Sequence, residues 1–138
     1  MAELLKLEVV TPEKNVINED VEIVKAPGTL GEFGVLSGHT PFLTSIKPGK
    51  IYYQDANGKE KAVFVSGGFA EALPDRVTVL AESAERRRDI DVDRARAALE
   101  RAENRLSSDK SADVNFERAK ASLYRAIERI KIAETRGL

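Results

Sequence analysis

The chain lacks several residue types that particular kinds of site require. Among its 138 residues there is no cysteine, no tryptophan and only one histidine. Without cysteine there can be neither a disulfide framework nor a thiolate metal site, which favours a cytosolic-type compartment. A zinc site built on His39 would need further histidine or cysteine ligands. We therefore predict no metal site.

Long apolar runs and a strong excess of charge are missing too. No stretch approaches the ~20 apolar residues that a membrane-crossing helix needs, and the first residues do not form a signal peptide. Any membrane association is expected to go through a partner. The net charge of -1 argues against a general nucleic-acid binder.

Glycine and proline are absent from most of the C-terminal half. All five prolines lie at or before Pro74, and eight of the nine glycines lie at or before Gly68. Charge changes at nearly the same place: residues 1–83 carry 8 Lys+Arg and 12 Asp+Glu, whereas residues 84–138 carry 14 and 11. The sequence predicts two domains, residues 1–84 and residues 85–138.

The first domain has the pattern of a β-sheet protein. Segments 4–10, 21–27, 49–54, 61–67 and 76–82 are alternating or rich in β-branched and aromatic residues, as strands are. Asn57-Gly58 is typical of a tight hairpin turn, so strands 49–54 and 61–67 should pair. Many short strands with frequent turns predict a β-sandwich or flattened barrel.

The loop 27–41 carries Gly28, Gly31 and Gly34 at three-residue spacing, which superficially suggests phosphate binding. A phosphate-binding loop needs a following helix, whose amide groups bind the anion. Here a strand-like "FGVL" (33–36) and a proline turn follow instead. Tight turns at positive φ are the expected role of these glycines. A hydrolase could use His39 nearby, but no G-x-S-x-G elbow accompanies it.

The second domain has helical periodicity over residues 91–106 and 114–133, with a break at 107–113. Helices joined by so short a link should pack antiparallel along their alanine-rich faces. Each helix also carries an arginine stripe displaced the same way from its apolar face, so both stripes should edge one groove. The stripes are Arg94, Arg101 and Arg105 on the first helix and Arg118, Arg125, Arg129 and Arg136 on the second. The groove suits an anionic partner; a merely solvated face balanced by acids is the alternative.

The segment "DIDVD" (89–93) opens the first helix. Asp89, Asp91 and Asp93 mimic the spacing of a calcium-binding EF-hand loop, but that loop needs glycine at its sixth position, where Arg94 stands. A helix start fits better, with Asp89 or Asp91 as N-cap and the acids near the positive end of the helix dipole.

Three segments together, "GEFGVLSGHTPFLTSIKPG" (31–49), "VSGGFAEALPDRVTVLAESAE" (65–85) and "IDVDRARAALERAENRL" (90–106), resemble the epsilon subunit of bacterial F-type ATP synthases. The resemblance runs over nearly the whole chain. It implies an α+β fold in two parts, an N-terminal β-sandwich and a C-terminal antiparallel helical hairpin. It also implies a non-catalytic, central-stalk subunit with a mobile hairpin that inhibits ATP hydrolysis.

The resemblance implies partners and a location as well. The partners are the gamma subunit, the ring of c subunits, and the alpha and beta subunits of the catalytic head. The location is peripheral, at the cytoplasmic face of the bacterial cell membrane. No cofactor is required, and ATP is a regulatory ligand in some members of the family.

Site residues follow from the same resemblance. The run "IDVDRA" matches the motif with which some members bind ATP on the folded hairpin. The candidate ATP-binding residues are Ile90, Asp91, Arg94, Ala95, Arg125, Arg129, Glu85 and Arg118. Glu32 and His39 match positions that face the c ring. A free-standing nucleotide-sensing module is the alternative function, and a small hydrolase around His39 is a third.

Overall fold

Nine β-strands, a short 3-10 turn and two α-helices make up the parts of the chain, residues 3–107 and 113–135, that this computed structural model describes. The strands are β1 Leu5–Val10, β2 Asn15–Gly28, β3 Gly31–Val35, β4 Phe42–Ile46, β5 Gly49–Asp55, β6 Glu60–Val65, β7 Gly68–Leu73, β8 Arg76–Ala81 and β9 Ala84–Arg86. The 3-10 turn spans Arg87–Asp89, and the helices are α1 Val92–Leu106 and α2 Asp113–Glu134.

The strands form one sheet that folds back on itself. Its order is β1-β8-β7-β4-β2-β5-β6-β9, with β3 also paired to β2. Strand β1 pairs parallel with β8 and antiparallel with β2, which joins the two halves of the sheet. This arrangement is the predicted β-sandwich or flattened barrel. Nineteen buried residues, all between Leu5 and Ala81, fill it.

Alternation along the strands explains why the core sits where it does. Leu5, Leu7 and Val9 of β1 are each at most 1% exposed, whereas Lys6 between them is exposed. Burial of such side chains stabilises the fold by about 1.5–3 kcal/mol each. Strand β6 differs because both its faces are covered: Val63 and Val65 join the main core, and Ala62 and Phe64 pack on the other side.

The sequence patterns predict five strands, indicate β3 through the strand-like "FGVL", and miss β4, β7 and β9. Strand β2 begins at Asn15, six residues before the predicted start. Pairing with neighbours makes β7 (GFAEAL) a strand, although alanines and a glycine give it little intrinsic preference. The prediction of positive φ is confirmed for one of the three glycines and wrong for the other two. Gly31 has a φ of 138°, but Gly28 and Gly34 lie within paired strands.

Gly28 is required for closeness rather than for a turn. A Cβ placed there would lie 2.7 Å from the carbonyl oxygen of Gly31, its partner across the β2–β3 hairpin. The predicted hairpin of β5 and β6 is confirmed, with Gln54 opposite Glu60. Within its turn only Gly58 takes positive φ, at 78°. The Asp55 carboxylate accepts hydrogen bonds from the amides of Asn57 and Lys59, both at 2.9 Å.

The two helices form the predicted hairpin. Asp91 is the N-cap of α1, and its carboxylate accepts a hydrogen bond from the Arg94 amide at 3.0 Å. An ion pair of 2.9 Å between Arg96, near the start of α1, and Glu134, at the end of α2, shows the antiparallel arrangement. The alanines buried along the helices are Ala95, Ala102, Ala119 and Ala126. Most of the predicted break, residues 108–112, lies outside the described residues, as does Arg136 of the second arginine stripe.

The hairpin docks on the outer face of β6 through a second, small core. This core consists of Ala62 and Phe64 from β6, Ile90 ahead of α1 and Ile132 from α2. The end of α2 is also tied to the sandwich by Arg87. Its guanidinium donates to the carbonyl oxygens of Ile132, at 3.2 Å, and Ala133, at 3.1 Å.

Candidate functional site

A cavity of about 310 Å³ lies where the hairpin meets the last strand of the sandwich. Both helices, β9 and the segment that leads into α1 contribute to its wall. Its lining residues are Glu85, Asp89, Asp91, Arg94, Ala95, Ala98, Arg101, Ser122, Arg125 and Arg129. Four arginines, two from each helix, therefore face one space, as expected from the two stripes.

Arg129 is held in place from two sides. Its Nε donates to a carboxylate oxygen of Glu85 at 2.8 Å, and both side chains are about one third exposed or less. Its guanidinium carbon lies 4.4 Å from the ring centroid of Phe64, a cation–π contact. These contacts fix the side chain before any ligand arrives, so less conformational entropy is lost on binding.

The other three arginines of the cavity have more freedom. Arg94 and Arg101 are exposed, and half-buried Arg125 donates to the Ser122 hydroxyl at 3.2 Å. Within residues 3–107 and 113–135, no carboxylate forms an ion pair with any of these three. Arginine is suited to phosphate because its planar fork can donate two parallel hydrogen bonds to oxygen atoms.

Six of the eight candidate ATP-binding residues line this cavity: Glu85, Asp91, Arg94, Ala95, Arg125 and Arg129. Ile90 does not. It is 7% exposed and packs in the second core. Arg118 also lies outside the lining, one stripe position further from the docked end, and is exposed. Arg101 lines the cavity but was not among the candidate ATP-binding residues. The sequence could have identified it, because its position in the first arginine stripe corresponds to that of Arg125 in the second.

Glu32 and His39 are not brought together. Glu32 is exposed on one face of β3, beside Lys25, Lys50 and Tyr52. His39 lies at the other side of the strand, with its ring 5.8 Å from that of Phe42, which in turn meets Phe33 at 5.1 Å. Residues 32 and 33 point to opposite faces because side chains alternate along a strand.

The surroundings of His39 give no support for a hydrolase. Its Nδ1 lies 2.8 Å from the carbonyl oxygen of Thr40, so Nδ1 carries the proton and donates there. Its Nε2 has no hydrogen-bond partner among the described residues, and no described serine contacts the ring as a nucleophile would.

An exposed apolar face on the sandwich was not anticipated from the sequence. Leu43 of β4, Phe69 of β7 and Leu80 of β8 are 71%, 58% and 56% exposed. Phe69 stands opposite Leu80 in the sheet, so these two side chains share one face. Adjacent exposed apolar side chains of this size mark interaction surfaces. Alternation of side chains along β4, β7 and β8 could have revealed this apolar face, but β4 and β7 were not predicted.

The described residues include neither a membrane-spanning helix nor a cluster of metal-ligating side chains. None of their helices combines the length and apolar character needed to span a membrane. No group of three or more metal-ligating side chains occurs within residues 3–107 and 113–135.

Comparison with known sequences assigns both halves of the chain to one family. Residues 4–87 match the model of the ATP synthase delta/epsilon chain β-sandwich domain, and residues 88–134 match that of its long α-helix domain. The chain therefore belongs to the ATP synthase delta/epsilon chain family. Within it, the chain is of the bacterial epsilon type, as its relatives show.

Two relatives show that the chain is of the epsilon type. The ATP synthase epsilon chain of Desulforapulum autotrophicum is 59% identical over 136 residues, which cover 99% of this chain and 100% of the relative. That of Desulfosudis oleivorans is 67% identical over 108 residues, covering 78% and 81%. The resemblance of the three sequence segments to epsilon subunits is thereby confirmed.

Solved structures agree with the fold. A chain in the Euglena gracilis mitochondrial ATP synthase, from a structure of its OSCP, F1 and c-ring, matches with a TM-score of 0.74 and 25% identity. The match covers 88% of this chain and 78% of that one. The sandwich followed by a two-helix region is confirmed as the fold.

Proposed function

We propose that this chain is a non-catalytic central-stalk subunit of a bacterial ATP synthase. In this role it couples the catalytic head to the c ring and restrains ATP hydrolysis through its helical hairpin. It binds the gamma subunit and the c ring through the sandwich, and the alpha and beta subunits of the head through the extended hairpin. It thereby sits peripherally at the cytoplasmic face of the cell membrane. Its membership of the epsilon type and its fold support this assignment.

The proposal that the hairpin regulates hydrolysis rests on the small size of its contact with the sandwich. Four residues form the second core, against nineteen in the sandwich core. A unit held by so few buried side chains can separate at a free energy well below that of global unfolding. The hairpin therefore has the property of a two-state element, docked in one state and extended in the other.

ATP is the regulatory ligand that we propose for the arginine-lined cavity. The cavity is complete only while the hairpin is docked, because Glu85 of β9 then joins residues of both helices in its wall. A ligand that binds one conformation better than another shifts the population toward it. ATP should therefore favour the docked hairpin and so oppose inhibition.

The exposed apolar face fits the docking of the gamma subunit. Leu43, Phe69 and Leu80 would be removed from water there, at about 25 cal/mol per Å² of apolar area. The loop that carries Glu32 and His39 is assigned to the c ring because of the family resemblance, and Glu32 is the exposed charge that it presents.

Replacement of both Glu32 and His39 by alanine should weaken coupling or assembly while leaving the isolated subunit folded. Glu32 is exposed, and His39 makes its one hydrogen bond to its own neighbour, so stability should change little. Proton pumping driven by ATP in reconstituted vesicles measures the effect. Glu13→Ala, in the exposed β1–β2 turn, is the matched control. Normal assembly and coupling by the double variant would show that this loop is not the docking surface.

Ile132→Ala should loosen the docked hairpin and strengthen inhibition. Ile132 is 1% exposed in the second core, and truncation of a buried isoleucine costs about 2–5 kcal/mol. Energy transfer between dyes on the sandwich and on α2 should fall, and hydrolysis by the complex should slow. Ile130→Ala makes the same change at a half-buried position outside that core. If both variants behave alike, docking does not depend on the second core.

A free-standing nucleotide sensor would use the same cavity without any partner. Co-purification from the native host separates the two functions. An affinity-tagged chain recovered with gamma, alpha and beta subunits supports the stalk function, whereas recovery of the chain alone supports the sensor.

A further inference from the structure

A second cleft, of about 290 Å³, lies where β5, β6 and β9 meet the 3-10 turn. It shares no lining residue with the arginine-lined cavity. Its lining residues are Tyr53, Lys59, Lys61, Ala62, Arg86, Arg87 and Arg88. Five of these seven side chains are cationic, and we call this place the basic cleft.

Two acids beside the basic cleft, Glu19 and Asp55, pair with Lys61. Lys61 forms ion pairs with Glu19 at 3.1 Å and with Asp55 at 3.3 Å. The hydrogen bond to Glu19 is the main cause that raises the pKa of Lys61, so this ammonium stays charged. The Tyr53 hydroxyl donates to the same Glu19 carboxylate at 2.9 Å. Glu19 and Asp55 are thus engaged by Lys61 and Tyr53.

The charge of Arg86 is oriented but not neutralised by its hydrogen bonds. Its Nε and Nη2 both donate to the carbonyl oxygen of Val16, at 3.1 and 2.8 Å. A carbonyl is a neutral acceptor, and other N–H groups of the guanidinium remain to donate. Lys59 and Arg88 are exposed, and neither forms an ion pair within the described part of the chain.

We propose that the basic cleft binds a phosphate-type oxyanion, with inorganic phosphate as its ligand. Three side chains would bind it: Arg86, already oriented by Val16, and the two exposed cations Lys59 and Arg88. Concentration of like charges in one concave place raises the local concentration of anions. Charge-assisted hydrogen bonds from arginine and lysine to phosphate oxygens then supply the specific part of the interaction.

Occupancy of the basic cleft should be linked to the docked hairpin. Arg87 lines the cleft and also holds the end of α2 through the carbonyl oxygens of Ile132 and Ala133. A bound dianion would offset the repulsion between Arg86 and Arg88, which flank Arg87 in the chain. The 3-10 turn that positions Arg87 would thereby be stabilised in its docked geometry, in which the hairpin is held.

The test is a phosphate titration of the full chain by NMR, with sodium chloride at matched ionic strength as reference. Phosphate should shift the Nε–H resonances of Arg86 and Arg88 saturably at millimolar concentration. It should also slow amide exchange near the end of α2. Lys59→Gln with Arg88→Gln should weaken binding at least tenfold. Lys14→Gln with Lys47→Gln removes the same charge from exposed positions elsewhere and should leave binding unchanged.

Three results would overturn the proposal. One is shifts no larger than those caused by chloride. Another is equal weakening in both double variants, which would mean that only net charge matters. The third is an absence of phosphate binding combined with weaker assembly of the Lys59 and Arg88 double variant, which would assign the basic cleft to an acidic protein surface. None of these results depends on whether ATP binds in the other cavity.

Discussion

Deletion of residues 88–138 should leave a folded β-sandwich that still assembles and couples but no longer restrains ATP hydrolysis. All nineteen residues of the main core lie between Leu5 and Ala81, so the truncated chain keeps every one of them. It also keeps β9, which ends at Arg86 and pairs with β6. The loss is confined to the hairpin and to the half of the second core that Ile90 and Ile132 supply.

Two measurements check this expectation. Thermal unfolding of the truncated subunit should remain cooperative, because a domain with its own core folds alone. Hydrolysis by the complex that contains it should exceed that of the complex with the full chain. The Ile132→Ala variant shifts activity the opposite way, because its hairpin is present and released. Unchanged hydrolysis after truncation would show that the hairpin is not the inhibitory element of this protein.

The fold was predictable where side-chain pattern and backbone pairing agree. Strand β1 alternates cleanly, and the β5–β6 hairpin has its Asn57-Gly58 turn, so both were found. Strand β7 was missed because its Ala70 and Ala72 face the core with too little apolar surface to mark a strand. Its assignment depends on hydrogen bonds to β4 and β8, which local sequence does not encode.

The arginine groove was predictable for a different reason. Helical periodicity determines which residues share a face, and two short-linked helices leave little choice of packing. The position along β6 at which the hairpin docks, and therefore the place where the groove meets the sandwich, was not predictable. Arg129 meets Phe64, and Glu85 meets Arg129, only because the hairpin docks at one position along β6. That position depends on Ile132 fitting between Ala62 and Phe64, a contact between residues about 70 positions apart.

The same dependence makes Arg125 the best residue with which to test ATP binding. Arg129 contributes to docking through Glu85 and Phe64, so its removal would weaken the docked state and the ligand contacts together. Glu128→Ala would be a poor control variant for the ATP-binding experiment, because the Glu128 side chain is 16% exposed and approaches Gly49 of the sandwich. Among residues 3–107 and 113–135, Arg125 hydrogen-bonds only to Ser122, a neighbour on its own helix.

Arg125→Ala should therefore weaken ATP binding by about tenfold or more with little change in stability. Hydrogen bonds to charged groups contribute roughly 1.5–3 kcal/mol, and about 1.4 kcal/mol corresponds to a factor of ten in affinity. Arg118→Ala removes the same side chain from the same stripe but outside the cavity. It should bind ATP almost as the unaltered chain does, if the cavity and not the stripe as a whole is the site.

Calorimetry on the isolated subunit measures the ATP affinities of the two variants. ATP should also raise the midpoint temperature of hairpin melting, because a ligand that binds the docked state stabilises it. Equal losses in Arg118→Ala and Arg125→Ala would indicate a diffuse electrostatic attraction along the stripe. If millimolar ATP gives no heat of binding and no stabilisation, the nucleotide assignment fails. Arg94, Arg101 and Arg125, which form no ion pair among the described residues, would then have an acidic surface of the catalytic head as their partner, reached by the hairpin in its extended state.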